Sequence, residues 1–368
     1  MQQPRQKGMV INMLKQLLTQ RKLPDLFTDS HGKAVNADSW RARRSELIGL
    51  LNEEYGELPA PPVKLDVKTV SRESSFCAGK AVLQKLMLTC ELEEGKSFSF
   101  PVRCAYPSGG GKYPVFVFPN FRPDVPDRYL PCEEIVDSGC AVVTFYYEDI
   151  TSDDSDFTNG LAALLCPGGD NTLRGKICLW AWAAMRALDY ALTRADTDTA
   201  CTAVIGHSRL GKTALYAGAL DERFTAVISN DSGCGGAALS RGKCGERIAA
   251  ITERFGYWFR SSFCAYSGNE YNAPFDQHFL LALVAPRKLY IASAAEDSWA
   301  DSDSEYLCLC EAARVWQMLG FDDFKPYDRL LNANEAVTGK RIGCHKRSGS
   351  HYLSRYDWQR FIGFVLNP

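Results

Sequence analysis

The chain has 368 residues, of which 46% are hydrophobic and 23% charged, and its formal net charge at neutral pH is −2. This composition indicates a globular protein with a large core and excludes a broad basic face for nucleic acid. The sequence holds no apolar run of membrane-spanning length and no secretory signal pattern. We therefore expect a cytoplasmic protein with neither nucleic-acid nor membrane partners.

Fourteen cysteines are a high number for a chain of this length. Because no signal segment and no C-x-x-C pair is present, we expect free thiols in a reducing compartment rather than disulfides. None of the five histidines stands at metal-ligand spacing from a cysteine or from another histidine. The sequence therefore predicts no metal site and no cofactor.

The N-terminal part of the chain has the hydrophobic spacing of helices. A short helix is predicted over 10–18, and a longer one starts after 36–39 and ends at Gly56. A proline-rich connection follows. We therefore distinguish an N-terminal helical extension, residues 1–60, from a main domain, residues 61–368.

The next segment alternates between apolar and polar side chains, which is typical of strands with one face in solvent. Antiparallel strands are predicted over 64–70, 81–92 and 97–104. Because polar residues recur at every second position, we expect this part of the sheet to be buried on one face only.

Beyond residue 109 short apolar runs alternate with helical segments, which predicts a mainly parallel sheet covered by helices on both faces. The segments 150–176 and 320–347 are interpreted as irregular connections. The predicted strands are 113–119, 141–147, 202–205, 224–229 and 288–292. The predicted helices are 179–194, 212–220, 246–255, a helix ending at 283, 306–319 and 356–364.

One strand-to-helix turn has the pattern of a nucleophile elbow. Gly206 and Gly211 flank Ser208, between a short β-branched run and a helix-forming run. The usual spacing is G-x-S-x-G, whereas here the second glycine comes one residue later and Leu210 takes its place. The alternative is a helix N-cap, where serine is common. The elbow and the order of elements predict an α/β-hydrolase fold, a three-layer sandwich with a mainly parallel central sheet and N-terminal antiparallel strands.

A serine nucleophile needs a base, and the base needs an acid to hold its tautomer. In α/β-hydrolases both follow the serine, which leaves His278, His345 and His351 as candidate bases. His351 lies in a glycine-containing loop before the last helix, so we prefer it over His345. His207, beside the serine, is expected to point away and to pack against the scaffold.

Two carboxylates are candidate acids, since Asp231 and Asp297 each follow a predicted strand at its carboxyl end. The sequence does not decide between them. The backbone N–H of Arg209 is the expected first donor of an oxyanion hole. The Arg209 guanidinium could add positive charge that attracts an anionic substrate, or it could form an ion pair with a carboxylate at the sheet edge.

The pattern Gly206-x-Ser208-Arg209-x-Gly211-Lys212 resembles the G-C-S-R-x-G-K signature of glucuronoyl esterases, α/β-hydrolases that cleave esters of 4-O-methyl-glucuronic acid. The resemblance covers about the C-terminal half of the chain. Further motifs similar to those of the family follow in order at 230–236, 244–246, 274–278, 285–287, 296–299 and 348–351.

The resemblance implies roles for individual residues. Ser208 would be the nucleophile and His351 the base, while Arg209 would stabilise the oxyanion. The family places a carboxylate at the position of Asp231, where many members have glutamate, and bacterial relatives use or add an acid at the position of Asp297.

The resemblance also implies a substrate pocket. Lys212 and Glu246 would contact sugar hydroxyls, and Trp299 would pack on the sugar ring. His207 departs from the family signature, which has a cysteine before the serine.

The expected function is therefore that of a serine esterase that hydrolyses esters of glucuronic acid or 4-O-methyl-glucuronic acid through an acyl-enzyme. Its partner would be a small-molecule or oligosaccharide uronate ester in the context of xylan and lignocellulose. Two alternatives stay open: a carbohydrate esterase of the acetyl-xylan type, in which the sugar is the leaving alcohol, and a catalytically silent α/β-hydrolase that binds carbohydrate.

Overall fold

The structure is a computed structural model that describes residues 12–367. These residues form one mixed ten-stranded sheet with α-helices on both faces. The strands are β1 (Lys64–Phe76), β2 (Ala81–Glu91), β3 (Ser97–Pro107), β4 (Tyr113–Asn120), β5 (Ala141–Tyr146), β6 (Thr197–His207), β7 (Ala226–Asn230), β8 (Lys288–Ala294), β9 (Glu335–Thr338) and β10 (Ile342–Arg347).

The helices alternate with the strands from β4 onward, as the sequence predicts for a mainly parallel sheet. They are α1 (Met13–Arg21), α2 (Trp40–Tyr55), α3 (Cys132–Asp137), α4 (Gly160–Leu165), α5 (Lys176–Thr193), α6 (Arg209–Leu220), α7 (Ile248–Phe255), α8 (His278–Ala282), α9 (Ser302–Met318) and α10 (Arg355–Leu366). Of the helix predicted over 10–18, residues 10 and 11 lie outside the described residues.

The strand order is β1-β2-β3-β5-β4-β6-β7-β8-β10-β9. The six strands from β5 to β10 in this order run parallel, while β1 to β3 and β9 pair antiparallel. Within the parallel part, His207 is level with Asn230, Asn230 with Ala292, and Ala292 with His345. The residues that follow these four positions therefore emerge at one edge of the sheet, which is where α/β proteins bind ligands.

Two apolar layers cover the sheet. Helices α3 and α10 pack on one face, where Trp358 contacts Phe116 and Phe118 edge-on. Helices α5, α6, α8 and α9 cover the other face, where Trp180 and Trp182 are fully buried. The three-layer α/β-hydrolase architecture expected from the sequence is confirmed.

Helix α2 lies in the same core as the helices of the second layer. Its apolar face is buried through Leu47, Leu51 and Tyr55. The Tyr55 hydroxyl donates a 3.0 Å hydrogen bond to the Gly235 carbonyl, in the segment that follows β7. The domain boundary at residue 60 stays a prediction, and α2 is packed as an integral part of the core.

The N-terminal strands differ from the prediction at the outermost strand. β2 buries every second residue of its second half, as a one-sided sheet does, but β1 is exposed along nearly its whole length. β1 is an edge strand with only β2 beside it, and it runs on to Phe76 rather than ending at 70. Its exposed valines, Val67 and Val70, therefore face solvent.

Two segments interpreted as irregular contain regular structure. The segment 320–347 holds β9 and β10, and 150–176 holds the short helix α4. Helix α3 is also absent from the predicted elements. The fourteen cysteines are all free thiols, as expected, and only Cys244 and Cys264 are exposed. Within residues 12–367, no helix combines the length and the apolar character that crossing a bilayer requires.

Candidate active site

Ser208 occupies a strained turn between β6 and α6. Its backbone has φ 56° and ψ −129°, a conformation that few non-glycine residues adopt outside such turns. A Cβ at Gly206 would lie 1.8 Å from the Leu210 carbonyl oxygen, and one at Gly211 would lie 3.0 Å from the Ser232 Cβ. The displaced second glycine thus serves the close packing of α6 against the chain that follows β7.

The N-cap alternative for Ser208 is not what the structure shows. Its side chain accepts no hydrogen bond from the backbone N–H groups of α6. Among the hydrogen bonds of residues 12–367, none uses the backbone N–H of Arg209. A free donor one residue after the serine is the arrangement that an oxyanion hole requires.

His351 and Asp297 form a direct pair. His351 Nδ1 lies 2.6 Å from Asp297 Oδ2. Because a carboxylate only accepts, Nδ1 carries the proton, and Nε2 is left as the free base. His351 follows β10 and Asp297 follows β8, and the neighbouring ends of these two parallel strands bring them together.

Asp231 lies within the same cluster but has other partners. Its ligand atom is within 4.8 Å of those of Asp297 and His351. Its Oδ1 accepts from the Ala294 N–H at 2.7 Å, and its Oδ2 accepts from Arg347 at 3.3 Å. The geometry therefore favours Asp297 as the orienting acid, a choice that the sequence left open.

The pKa values of the Asp231 and Asp297 carboxyls are shifted in opposite directions. Burial alone would raise the pKa of Asp297, but hydrogen bonds from His351 and the Ala300 backbone bring it below its ordinary value. Burial, together with the charge of Glu305, raises the pKa of Asp231 well above its ordinary value, and Arg347 opposes that rise. The charged acid beside His351 is thus Asp297.

Arg347 fixes the loop that carries the base. Its guanidinium donates to the Ser348 and Tyr352 carbonyls, on either side of His351, and to Asp357 at 3.0 Å. No motif in the sequence points to this residue. It follows that Arg347 couples Asp231 to the position of the loop that carries His351.

The base and the nucleophile face the same space without touching. Ser208 and His351 line two shared cavities, and within the described residues no hydrogen bond joins the Ser208 hydroxyl to the imidazole. In enzymes without substrate such contacts are commonly long and tighten in the complex. The arrangement has the order and the partners of a Ser-His-Asp triad.

The Arg209 guanidinium forms an ion pair with Asp153, which was one of the two expectations for it. It also stacks on Trp258, with 4.6 Å between the guanidinium carbon and the ring centroid. Asp153 further accepts from the Tyr147 hydroxyl at 2.8 Å and from Trp258 Nε1 at 2.7 Å. Asp153 was missed in the sequence, and it holds the arginine beside the nucleophile.

The loop that supplies Asp153 is anchored by a buried lysine. Lys176 Nζ donates to the Ser152 carbonyl at 2.6 Å and to the Asp156 carbonyl at 2.7 Å. Burial lowers the pKa of Lys176, and the nearby carboxylate of Asp154 opposes the shift. The segment interpreted as an irregular connection is therefore held in place where it carries Asp153, the ion-pair partner of Arg209.

The three residues expected to contact a sugar line one cavity of about 240 Å³, which we call the first cavity. Trp299 Nε1 donates to Glu246 Oε1 at 3.0 Å, and the Trp299 side chain is 48% exposed. Lys212 Nζ donates to the Ser232 carbonyl, and burial lowers the pKa of this lysine. A pocket that combines a lysine, a glutamate and an exposed indole offers hydrogen-bonding groups and a flat ring surface, both of which suit a sugar.

His207 differs from the expectation that it points away. Its Nδ1 is 2.7 Å from Asn230 Oδ1, the scaffold contact that was predicted. However, its ring centroid lies only 4.6 Å from that of His351. Burial, followed by the nearby His351, lowers the pKa of His207 to about 3. His207 is therefore a neutral ring packed against His351, the candidate base.

The other two candidate bases lie away from the nucleophile. His345 is buried in β10, where it contacts Asp357 at 2.8 Å and Tyr290 at 3.0 Å. His278 begins α8 and contacts the Pro24 carbonyl at 3.0 Å. Neither residue lines the cavities that meet at Ser208.

Asp231, Asp297 and His351 are also the residues that could offer three ligand atoms to a metal ion. A cation there would break the hydrogen bond between His351 and Asp297 and would stand near the Arg347 guanidinium. Both contacts disfavour a cation, so the cluster fits acid–base chemistry better than metal binding.

The family model described as "Glucuronyl esterase, fungi" matches residues 91–320. The chain is 43% identical over 238 residues to carbohydrate esterase MZ0003 from an unknown prokaryotic organism, covering 63% of this chain and 54% of that protein. It is 31% identical over 326 residues to the 4-O-methyl-glucuronoyl methylesterase of Hypocrea jecorina, covering 85% and 66%. The chain thus spans between about half and two thirds of the length of these curated relatives.

Solved structures of similar extent also match. The glucuronoyl esterase from Solibacter usitatus is 32% identical with a TM-score of 0.84, and the match covers 93% of this chain and 96% of that one. A CE15 glucuronoyl esterase from Teredinibacter turnerae is 26% identical with a TM-score of 0.85, covering 95% and 89%. These similarities extend over nearly all the residues described above.

Proposed function

Since this chain belongs to the glucuronoyl esterase family, we propose that it is a serine esterase that hydrolyses esters of glucuronic acid or 4-O-methyl-glucuronic acid. The observation that carries the proposal is the position of Ser208 between the His351–Asp297 pair and the cavity lined by Lys212, Glu246 and Trp299. Names of relatives that act on glucuronoyl esters support the same substrate class.

In the proposed reaction the uronate half of the ester occupies the first cavity. Ser208 Oγ adds to the ester carbonyl carbon and its proton passes to His351 Nε2. The bond from the carbonyl carbon to the alcohol oxygen then breaks, and the alcohol leaves with that proton. Water adds to the acyl-enzyme by the same route in reverse, which releases the acid and restores Ser208.

The negative charge of each tetrahedral intermediate is met by the Arg209 backbone N–H and by the nearby guanidinium. Asp153 holds that guanidinium in place, so its charge is fixed before the reaction begins. Asp297 keeps the proton on Nδ1 of His351 and stabilises the imidazolium that forms.

The test compares wild type with Ser208→Ala on benzyl glucuronate and on p-nitrophenyl acetate. We expect wild type to hydrolyse the glucuronate ester, and Ser208→Ala to lose at least about 10³-fold in kcat, because no acyl-enzyme can form. An undiminished rate in Ser208→Ala would contradict the mechanism.

A broader ester range is the second candidate, because the 43% identical relative is named only as a carbohydrate esterase and a neighbouring structure is titled a promiscuous CE15 esterase. Hydrolysis of the acetate alone would favour this reading and would remove the roles given to Lys212, Glu246 and Trp299. Hydrolysis of the glucuronate ester by wild type only would support the first.

A further inference from the structure

Ser208 lies at the junction of two cavities. The first cavity, of about 240 Å³, is the proposed uronate site. A second cavity of about 510 Å³ opens on the other side of Ser208 and His351, and its remaining wall includes Phe121, Arg122, Arg128, Tyr129 and His207. We call it the second cavity. If the acyl half of an ester fills the first cavity, the alcohol half has the second cavity to occupy, and this inference therefore rests on the proposed function.

One side of the second cavity is built from flat rings. The Tyr129 ring lies 6.0 Å from Phe121, 5.4 Å from His207 and 5.2 Å from Tyr352, measured between centroids. These rings hold one another in place, and an apolar planar group can stack against them. The wall therefore favours an alcohol with a flat apolar body.

The charged groups of this wall are guanidiniums. Arg128 lies over the rings of Tyr129 and Tyr352, at 4.8 Å and 5.9 Å from the guanidinium carbon to the centroids. One of its N–H groups donates to the Tyr129 hydroxyl at 2.9 Å. Stacking of this kind fixes the plane of the guanidinium and leaves its other N–H groups free for a carboxylate.

Neither Arg122 nor Arg128 forms an ion pair with any carboxylate within residues 12–367. The side chains that line the second cavity include no aspartate or glutamate. The third guanidinium of the wall, Arg209, already has Asp153 as its ion-pair partner. Two positive charges on the alcohol side of the nucleophile are therefore without a counter-charge from the protein.

The loop that carries Arg128 and Tyr129 is held in place by hydrogen bonds to the sheet and to α10. Asp127 accepts from the Tyr129 N–H at 2.7 Å and from Asn120 Nδ2 at 2.5 Å. Trp358 Nε1 donates to the Tyr129 carbonyl at 2.7 Å. The backbone at Arg128 is thus fixed to β4 and α10 before any ligand arrives, which reduces the ordering cost of binding.

We propose that the second cavity binds the alcohol half of the ester, and that Arg122 and Arg128 select an alcohol that carries a carboxylate. The flat rings take the apolar body of the alcohol, and the two guanidiniums take the negative charge at its far end. The residues make the enzyme selective for the leaving group as well as for the acid.

The experiment compares three glucuronate esters that differ only at the far end of the alcohol: benzyl, 4-carboxybenzyl and 4-(aminomethyl)benzyl. For wild type we expect kcat/KM to be about tenfold higher for the carboxybenzyl ester than for the benzyl ester, since charge-assisted hydrogen bonds to arginine are strong and directional. The cationic ester is expected to fall below the benzyl ester. The preference should shrink as salt concentration rises.

The arginine-free variant is Arg122→Gln combined with Arg128→Gln, in which we expect the ratio of the carboxybenzyl to the benzyl ester to fall to about one. The matched control combines Lys68→Gln with Arg72→Gln. It removes two positive charges from exposed positions of β1, which four strands separate from β6, and should keep the wild-type ratio. A wild-type ratio of one or less, or a raised ratio that survives in the arginine-free variant, overturns the inference.

Binding of the free alcohol separates this inference from the proposed function. 4-(Hydroxymethyl)benzoate and benzyl alcohol are titrated into Ser208→Ala, with and without the two arginine substitutions, and followed by NMR. Tighter binding of the benzoate that depends on the arginines supports the second cavity even if no glucuronate ester is hydrolysed, in which case only the proposed function fails. Equal binding of the two alcohols overturns the inference whatever the turnover.

Discussion

At the scale of single residues, the proposed base His351 has three close neighbours in the site. Asp297 holds one ring nitrogen, Asp231 lies within the same cluster, and His207 packs against the ring face. The sequence placed His351, Asp231 and Asp297 near the nucleophile without pairing them, and it expected His207 to point away. The hydrogen bonds give each neighbour a distinct role, and two predictions follow from them.

Asp297→Asn should reduce kcat on benzyl glucuronate far more than Asp231→Asn. The amide at 297 favours the wrong tautomer of His351, a change that costs on the order of 10³- to 10⁴-fold in other triads. At 231 the amide oxygen still accepts from backbone N–H groups, so we expect about a tenfold loss, through the loop held by Arg347. Steady-state kinetics at saturating substrate measures both.

Circular dichroism and thermal unfolding of each variant control for misfolding in this comparison. A larger loss for Asp231→Asn would assign the orienting acid to Asp231 instead.

The acid limb of the pH profile should report one ionisation. His351 must be neutral to accept the proton of Ser208, so activity falls once its imidazole is protonated. His207 contacts the same ring, but burial lowers its pKa to about 3, so it stays neutral above about pH 4. We therefore expect log kcat/KM to fall with a slope of one, and not two, on the acid limb above about pH 4. The measurement is kcat/KM on benzyl glucuronate in constant ionic strength buffers.

A slope of two on the acid limb above about pH 4 would mean that a second group, His207, takes up a proton in the same range. The variant His207→Gln serves as the control, because it removes the second imidazole and should preserve a slope of one.

At the scale of elements, two junctions position the site. The elbow between β6 and α6 presents Ser208, and α2 supports the chain after β7 from behind. Each junction contains one residue whose close or buried surroundings leave little room for a substitution. Gly206 is that residue in the elbow, and Glu54 is that residue in α2.

Gly206→Ala should abolish activity and lower stability. The added methyl group would meet the Leu210 carbonyl oxygen at 1.8 Å, so the first turn of α6 must move and Ser208 with it. We expect at least about a hundredfold loss in kcat/KM on benzyl glucuronate, together with a lower Tm.

Gly49→Ala is the matched control for the elbow variant. Gly49 lies within α2, and a Cβ there meets no atom within 4 Å. Replacing it should stabilise the protein by about 0.5–1 kcal/mol, from helix propensity alone. Full activity of Gly206→Ala would contradict the close packing of the elbow.

Glu54 should make the protein less stable as pH rises. Its side chain is fully buried in α2 and accepts from Gln277 Nε2 at 2.8 and 3.0 Å. Burial raises its pKa from 4.5 to about 8, so the folded state holds a proton that the unfolded state releases. Stability from this group is complete below about pH 4.5 and is lost as pH rises towards about 8, by on the order of 5 kcal/mol at most.

Urea unfolding at pH 5 and pH 8 measures this effect. In Glu54→Gln, which resembles the protonated side chain, the free energy of unfolding should change less between the two pH values than in wild type. An equal change in both proteins would show that Glu54 is not the titrating group.

At the scale of the whole molecule, the order of elements could be read from the sequence because most of them are continuous apolar runs. β10 escaped prediction because its chain end is His345, Lys346 and Arg347, which resembles a loop. His345 and Arg347 are buried there only because both contact Asp357, ten or more residues later. Burial that depends on a distant partner leaves no local pattern.

The sequence named several residues that meet at the candidate site, but not how they pair. The resemblance named Lys212, Glu246 and Trp299, which line the first cavity, and the elbow named Ser208. The choice between Asp231 and Asp297 could not be made, since both end adjacent parallel strands and only the hydrogen-bond partners differ. Asp153 was missed because it precedes its partner Arg209 by 56 residues.

In the proposed reaction, the two halves of the substrate occupy different cavities at Ser208 and leave the enzyme one after the other. In the proposed reaction the alcohol departs first and empties the second cavity while the acid stays attached to the enzyme. The molecule that enters next decides the product: water yields the free acid, and a fresh alcohol yields a new ester. Such an enzyme exchanges one alcohol for another when alcohols are abundant, and it becomes a purely degradative catalyst only when they are scarce.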